Sequence, residues 1–188
     1  AAISASKAGR KVCLLERKAE VGVPVRCGEG IGRRGLLDHI DPKPEWISNT
    51  IKKAVMVSPS GIRIELRGTS EDFILDREKM DSDLVKEAIN SGVSYFAETP
   101  VTSVKKNGEL YECITPKKTF SSRILILADG VESRLARFLG WDTTLALSDV
   151  ETCAFARVVS PLIEKNACIF FTGTRVAPGG YAWVSPEL

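Results

Sequence analysis

The chain has 188 residues, of which 44% are hydrophobic and 27% are charged, and its formal net charge is +2. That composition is ordinary for a soluble globular protein, and so small a charge does not predict a nucleic-acid partner. No apolar run approaches the roughly 18–20 residues that cross a bilayer. We expect a cytoplasmic location, compatible with peripheral contact at a membrane. The lysine pairs at 52–53, 105–106 and 117–118 are typical of solvated faces, and attraction to anionic lipid headgroups is the alternative.

The number and spacing of the cysteines are informative about disulfides and zinc sites. There are five of them, and none stands in a C-x-x-C pair. An odd number at irregular spacing argues against a disulfide framework and against a structural zinc site, and a reducing compartment is the simplest setting for such a chain. We predict no metal site.

The first elements of the sequence are typical of a βαβ unit. Residues 1–9 predict the end of a helix, with Gly9 in the left-handed position that closes it. Residues 11–16 predict a short apolar strand that ends in an acid. The sequence begins inside that helix and stops soon after Ser185-Pro186, so we expect a piece of a longer protein.

The next elements alternate between loop, strand and helix. A glycine-rich loop at 21–35 leads toward a short helix, and strand-like runs at 53–58 and 62–67 flank a Pro-Ser-Gly turn. A third run at 73–75 precedes Asp76, which is placed to cap a helix. The apolar residues that share one face of that helix are Met80, Leu84, Val85, Ala88 and Ile89.

The second half of the chain predicts several strands and one more helix. Strands are expected at 93–97, 101–105, 110–114, 154–159, 167–171 and 181–184. Asn107-Gly108 predicts a type I′ hairpin turn, because both positions of that turn need a positive φ. The continuous apolar run at 124–128 predicts a parallel strand buried on both faces, followed by a helix near 131–139.

Together these elements predict an α/β fold. Its core would be a Rossmann-like dinucleotide-binding domain, incomplete at the N-terminus, into which a mostly antiparallel β-sheet is threaded. Strands that alternate with helices account for the parallel core, and closely spaced strands with turn residues between them account for the antiparallel part.

Two strand ends carry residues that suit a dinucleotide. Glu16 closes a strand of the βαβ unit, where a carboxylate can accept hydrogen bonds from both hydroxyls of an adenosine ribose. Asp129-Gly130 follows the run at 124–128 and opens a helix, whose N-terminus favours an anionic group such as a pyrophosphate. The structural alternatives are a surface glutamate at the first place and a capping aspartate in a plain turn at the second.

Four segments resemble those of a known flavoprotein family. Ala-Asp-Gly-Val-Glu-Ser-Arg-Leu-Ala-Arg at 128–137 and Leu-Asp-Arg-Glu-Lys-Met-Asp at 75–81 resemble motifs of the para-hydroxybenzoate hydroxylase-type flavoproteins. Val-Pro-Val-Arg-Cys-Gly-Glu-Gly at 23–30 and Pro-Gly-Gly-Tyr-Ala-Trp at 178–183 resemble the geranylgeranyl reductase family, especially its archaeal branch, which saturates digeranylgeranylglycerophospholipids. The resemblance covers nearly the whole chain.

The resemblance implies FAD as the cofactor and assigns its binding residues. They are Glu16, Arg26, Cys27, Gly28, Gly30, Arg77, Val101, Asp129 and Gly130. It also assigns residues 1–50 and 76–150 to an FAD-binding domain, and 51–75 and 151–188 to part of a substrate-binding β-sheet domain. The glycines of residues 22–32 favour the same assignment, because a loop with several glycines lets the backbone lie close to a planar ring.

The resemblance further implies a reductase that acts on C=C bonds of geranylgeranyl chains. Cys27 is our candidate catalytic residue, nearest the reacting alkene, and a buried cysteine in a loop is the plain alternative. Tyr181 and Trp183 would wall an apolar tunnel for the isoprenoid substrate, where ordinary core packing is the alternative. Ser185 stands where the family pattern has an aromatic residue, which leaves the shape of that tunnel open.

The electron donor is not specified by the sequence, and NADPH, a reduced ferredoxin and a deazaflavin all remain open as partners. Three other functions also remain open at this stage. They are an aromatic monooxygenase on the same scaffold, an electron-transfer flavoprotein that reduces a quinone, and a nucleotide-binding module without catalysis.

Overall fold

The structure is a computed structural model that describes residues 1–66 and 71–187. The chain forms two compact units, and it passes between them three times. The first unit comprises Ala1–Val23 and Leu84–Ala154, and the second comprises Pro24–Asp83 and Phe155–Leu188. The boundary at Asp83 falls inside a helix, so that helix contributes its first half to the second unit.

Short helices and strands make up both units. The helices are α1 (Ala2–Lys7), α2 (Arg33–Leu37), α3 (Arg77–Asn90) and α4 (Arg134–Arg137), with 3₁₀ turns at Pro44–Trp46 and Leu147–Asp149. The strands are β1 (Cys13–Leu15), β2 (Gly30–Gly32), β3 (Ile47–Ile51), β4 (Lys53–Val57), β5 (Arg63–Leu66), β6 (Asp72–Leu75), β7 (Ser94–Phe96), β8 (Ser103–Asn107), β9 (Leu110–Ile114), β10 (Thr119–Ser122), β11 (Ala167–Thr172) and β12 (Tyr181–Val184).

The first unit contains a parallel strand pair and an antiparallel sheet. Strand β1 pairs in parallel with β7, and the backbone N–H of Glu16 extends that ladder by donating to the Phe96 carbonyl at 2.9 Å. The antiparallel sheet has the order β10-β9-β8. The rings of Phe96 and Phe120 meet edge to face with their centroids 5.1 Å apart, and the Lys118 ammonium lies over both rings. This aromatic contact packs β10 against β7.

The second unit contains two sheets, each with its own apolar core. The larger sheet has the order β12-β11-β4-β5. Strands β11 and β4 are parallel, whereas the β12–β11 and β4–β5 pairs are antiparallel. Val55, Ala167 and Ile169 are buried against one face of it. The smaller sheet has the order β2-β6-β3. Leu36 of α2 packs there with Phe73 of β6, so the sheet and α2 bury one another.

The α/β fold predicted from the sequence is confirmed, and so are most of its elements. Helix α1 ends at Gly9, whose φ of +73° is the left-handed conformation expected there. Asp76 caps α3, because its Oδ1 accepts a hydrogen bond from the Lys79 N–H at 3.0 Å. The turn before β5 contains Gly61 at a φ of +83°. Arg67, which the sequence places at the end of that strand, lies outside the described residues.

Four predictions about secondary structure were wrong. The run at 124–128 forms no strand, and Ile124 is 80% exposed, because no described strand lies beside it to pair with its backbone. The segment at 154–159 likewise has no strand partner. The turn of the β8–β9 hairpin is Gly108-Glu109, and φ is positive only at Gly108, so it is not a type I′ turn. The helix expected near 131–139 is reduced to α4.

Strands β2, β3 and β10 were not predicted from the sequence, and β2 lies within the segment 21–35 that was predicted as a loop. Their sequences are Gly-Ile-Gly, Ile-Ser-Asn-Thr-Ile and Thr-Phe-Ser-Ser, and none contains the run of β-branched and aromatic residues that favours a strand. Within residues 1–66 and 71–187, no helix is both long enough and apolar enough to span a membrane.

Candidate functional site

Two of the predicted cofactor residues of the first unit, Glu16 and Val101, lie in segments that meet at the end of β1. The carboxylate of Glu16 accepts a hydrogen bond at Oε1 from the Lys18 N–H at 2.8 Å, and the side chain is only half-buried. The Glu16 carbonyl accepts a hydrogen bond from the Thr99 N–H at 2.8 Å. That bond brings the segment that leads to Val101, which is half-buried, against the end of β1. Two of the predicted FAD-binding segments are therefore neighbours.

The negative charge of Glu16 affects the pKa of the nearby Tyr95 phenol. Burial, and after it the negative charge of Glu16, raises the pKa of the Tyr95 phenol above its ordinary value. Tyr95 pairs with Leu14 in the β1–β7 ladder, next to the last residue of β1. The Glu16 carboxylate at the end of this strand pair can accept hydrogen bonds from hydroxyl groups.

The Asp129-Gly130 corner is a separate feature of the first unit. Asp129 accepts a hydrogen bond at Oδ2 from the Leu135 N–H at 2.9 Å, so it caps α4. Gly130 has a φ of +86° and turns the chain toward that helix. This contact fits the capping role that was the structural alternative, and the assignment of Asp129 and Gly130 to FAD stays a prediction. Among the described residues, no hydrogen bond or ion pair joins Glu16 to Asp129.

The loop at 26–30 carries the predicted site of the second unit. Arg26, Gly28 and Gly30 are exposed, whereas Cys27 is half-buried. The Cys27 sulphur accepts a hydrogen bond from the Glu29 N–H at 3.3 Å, and the Gly30 N–H donates to the Gly28 carbonyl at 2.7 Å. The loop is therefore tightly folded and presents the backbone of its glycines outward.

Gly28 lies directly against the indole of Trp183. A Cβ placed on Gly28 would lie 3.2 Å from Cζ2 and 3.3 Å from Nε1 of that ring. A residue with a side chain would therefore have to displace the ring or the loop. The sequence named both residues as site residues, and the structure brings them together within one unit.

Trp183 belongs to an aromatic row on one face of the larger sheet of the second unit. The Tyr181 and Trp183 rings lie 6.2 Å apart on β12, and the Tyr181 ring lies 5.6 Å from Phe170 on β11. Tyr181 is 54% exposed. Because successive side chains of a strand point to opposite faces, this row lies on the side of the sheet opposite Val55 and Ile169.

Arg77 connects helix α3 to the loop at 26–30. Its guanidinium binds Asp81 through two hydrogen bonds, at 3.1 Å and 3.0 Å, and it also lies next to the Cys27 sulphur. The hydrogen bonds to Asp81 raise the pKa of Arg77, and burial opposes that shift. Arg77 therefore carries a fixed positive charge beside Cys27.

Glu29 is a site feature that the sequence analysis missed. Its side chain is 4% exposed, and its Oε1 accepts a hydrogen bond from the Arg77 N–H at 3.0 Å. Its Oε2 pairs with Arg157 at 3.4 Å, and the same guanidinium binds Glu187 at 3.2 Å. Burial raises the pKa of Glu187, Arg157 lowers it, and Glu29 raises it again, with a net increase. The feature of the sequence that could have pointed to Glu29 is its place between Gly28 and Gly30.

Curated relatives match the chain over its full length. It is 39% identical to the digeranylgeranylglycerophospholipid reductase of Methanocella arvoryzae and 37% identical to reductase 1 of Methanococcoides burtonii. The chain is thus similar in sequence to members of the geranylgeranyl reductase family. It spans about half the length of these relatives, covering 50% and 48% of them. No protein-family model matches the chain.

Solved structures place the fold in the same group. The geranylgeranyl bacteriochlorophyll reductase-like protein of Thermoplasma acidophilum matches the whole chain with a TM-score of 0.82 and 26% identity, and the chain covers 50% of it. The halogenase PltM, solved with phloroglucinol and FAD, matches 74% of the chain with a TM-score of 0.59 and 13% identity, and 33% of PltM is covered. At that identity the second likeness shows the fold alone.

The residues present fit an FAD molecule in their chemistry. Glu16 offers a carboxylate to ribose hydroxyls at the end of a parallel strand, and Arg26 offers an exposed cation to an anionic group. Gly28 and Gly30 expose backbone without side chains, which permits close approach of a planar ring. The assignment of individual residues to FAD stays a prediction.

Proposed function

We propose that the full-length protein is an FAD-dependent reductase that saturates C=C bonds in the geranylgeranyl chains of archaeal-type membrane lipid precursors. The observation that carries this proposal is the 39% identity to a digeranylgeranylglycerophospholipid reductase across the entire chain. The contact between Gly28 and Trp183 supports it, because it joins the loop that bears Cys27 to a partly exposed aromatic row suited to an apolar chain.

The residues of this chain have distinct tasks in such a reaction. When bound, reduced FAD supplies a hydride to one carbon of the alkene, and the neighbouring carbon must receive a proton. Glu16 and Arg26 would hold the cofactor, and the aromatic row at Tyr181 and Trp183 would hold the isoprenoid chain and exclude water. Cys27, in the loop that packs on Trp183, is the residue proposed to lie nearest the alkene.

Substitution of Cys27 tests its part in the reaction. If the thiol delivers the proton, Cys27→Ala lowers kcat by about a hundredfold or more while KM changes little, and Cys27→Ser retains more activity because the hydroxyl can still donate. Steady-state kinetics on the full-length enzyme measure both. Unchanged turnover of the alanine variant removes Cys27 from the mechanism.

The proposed activity is tested on full-length protein with bound cofactor. The purified protein should show flavin absorbance, and after reduction it should add two hydrogen atoms to each saturated double bond of a geranylgeranyl lipid, read by mass spectrometry. Oxygen consumption stimulated by a phenol would instead indicate a monooxygenase, and reduction of a quinone would indicate an electron-transfer flavoprotein. Absence of flavin would indicate a module without this catalysis.

The partners follow from the proposed chemistry. The reaction needs an electron donor, and comparing flavin reduction by NADPH, reduced ferredoxin and a reduced deazaflavin would identify it. A lipid substrate resides in a membrane, so we also propose peripheral contact of a cytoplasmic enzyme with the membrane surface. Sedimentation with anionic and with zwitterionic vesicles tests that contact, and binding that weakens with added salt would support a role for the surface lysines.

A further inference from the structure

The buried carboxylate of Glu29 has no role in the chemistry described so far, yet its backbone is strained. Its φ is +58°, in the left-handed region that glycine adopts freely and that a residue with a Cβ adopts at a cost. Gly28 and Gly30 stand on either side of it. A glutamate in this conformation needs compensation from contacts of its side chain.

Those contacts are made by both carboxylate oxygens. One oxygen accepts the hydrogen bond from the Arg77 N–H, at the first residue of α3, where the N-terminal end of a helix favours a negative charge. The other oxygen pairs with Arg157. Because the carboxylate is 4% exposed, contacts within the protein replace nearly all of its hydration, and the Glu187 carboxyl, which Arg157 also binds, is a third neighbour.

The backbone of Glu29 reaches the core and the thiol at the same time. Its carbonyl accepts a hydrogen bond from the Leu75 N–H at 2.9 Å, which ties the loop to β6. Its N–H donates to the Cys27 sulphur at 3.3 Å. The Glu29 carboxylate accepts from the backbone N–H of Arg77, whose guanidinium interacts with the Cys27 side chain. Glu29 is thus bonded both to Cys27 and to a second residue that interacts with it.

We propose that Glu29 is a positioning residue, whose buried carboxylate holds the Cys27–Gly28 loop on the N-terminus of α3. It acts through Arg77 and Cys27 and does not itself touch the substrate. Glu29 keeps the Cys27–Gly28 loop ordered. It is not needed for the fold of β2 and β6, because the apolar cluster of Leu36, Phe73 and Leu75 stabilises these strands independently.

Two substitutions in the full-length holoenzyme separate positioning from folding. Glu29→Gly relieves the backbone strain and removes both carboxylate contacts. Glu29→Gln keeps the side-chain oxygen that accepts from Arg77 but removes the charge that pairs with Arg157. The control is Glu98→Gly, which relieves the same strain at an exposed glutamate with a φ of +46° that belongs to the first unit, whereas Cys27 belongs to the second.

The first readout is the rate at which iodoacetamide alkylates Cys27, measured by peptide mass spectrometry and independent of catalysis. Loss of one net hydrogen bond raises the population of the open loop, so we expect alkylation in Glu29→Gly to be faster by about tenfold. Glu29→Gln should fall between wild type and the glycine variant. Cys27 in Glu98→Gly and Cys168 in every variant should react at the wild-type rate.

The second readout is kinetic and rests on the proposed function. In Glu29→Gly, kcat should fall by about tenfold or more with KM little changed, and Glu29→Gln should recover most of it. Wild-type alkylation and wild-type kcat in Glu29→Gly overturn the proposal, and so does equal loss of thermal stability and of kcat in both variants. A wild-type enzyme that reduces no geranylgeranyl lipid contradicts the proposed function, while the alkylation rates still decide the role of Glu29.

Discussion

Glycines of the second unit differ in what a side chain would meet, and that difference gives a prediction at the scale of one residue. At Gly28 a Cβ would meet the Trp183 indole at 3.2 Å, whereas at Gly35 in α2 nothing lies within 4 Å. We expect Gly28→Ala to destabilise the protein by about 1–3 kcal/mol through overpacking. Gly35→Ala should stabilise it by roughly 0.5–1 kcal/mol, because alanine loses less backbone entropy in a helix.

Thermal unfolding and tryptophan fluorescence together check this prediction. The glycine-to-alanine exchange at position 28 should also shift the emission of Trp183, and the exchange at position 35 should leave the emission unchanged. Equal melting temperatures for the two variants, with unaltered emission, would show that the Gly28 backbone does not press on the ring.

At the scale of an element, the start of α3 gives a prediction about pH. Burial tends to raise the pKa of Asp76, but hydrogen bonds from the side chain and backbone of Lys79 outweigh it, so the pKa of Asp76 lies below its ordinary 3.8. A carboxyl whose pKa is lower in the folded state adds stability above its unfolded pKa and loses that contribution as pH falls through the folded value.

The isosteric change Asp76→Asn isolates this contribution. Wild type should unfold at a higher temperature than the variant at about pH 7, and the gap should narrow as pH falls below 3.8 and through the lower folded pKa. Asp76→Ala, which also removes the cap, should cost about 1 kcal/mol more than Asp76→Asn at either end of that pH range. A gap between wild type and the asparagine variant that is constant with pH would contradict the ionic origin of the effect.

Local signals explain which elements the sequence could predict. Asp76 before a helix, Gly61 in a turn and Gly9 after a helix act on their immediate neighbours, so their effects are visible in a short window. The run at 124–128 shows the limit of that approach. Its hydrophobicity reports that it favours burial, but a strand also needs a neighbouring strand for its N–H and C=O groups, and a window of sequence does not contain that neighbour.

The candidate site likewise contains residues that the sequence could predict and contacts that it could not. The loop at 26–30 was recognisable from its glycines and from family resemblance, and its contact with Trp183 agrees with both residues having been named together. The pairing of Glu29 with Arg157 was not predictable, because the two residues are separated by 128 positions and each is ordinary alone. Long-range ion pairs depend on the fold, and only a structure brings the partners together.

At the scale of the whole chain, exposed apolar side chains give the last prediction about stability. Ile124 and Ile126 are 80% and 65% exposed, and Leu147, Val159 and Leu162 are exposed as well. A polypeptide of residues 1–188 should therefore bind a hydrophobic dye and self-associate. Ile124→Thr with Ile126→Thr should reduce dye binding without lowering its melting temperature. A fall of several degrees would show that these two side chains are buried.

A single anaerobic turnover tests most directly the proposal that the full-length protein reduces a geranylgeranyl lipid with its bound flavin. Full-length protein with bound flavin is reduced chemically, freed of reductant and mixed with a geranylgeranyl lipid, while flavin absorbance and lipid mass are followed together. We predict that the oxidised flavin spectrum returns as the lipid gains two hydrogen atoms, with one bond saturated for each flavin reoxidised. A flavin that stays reduced beside unchanged lipid would contradict the account.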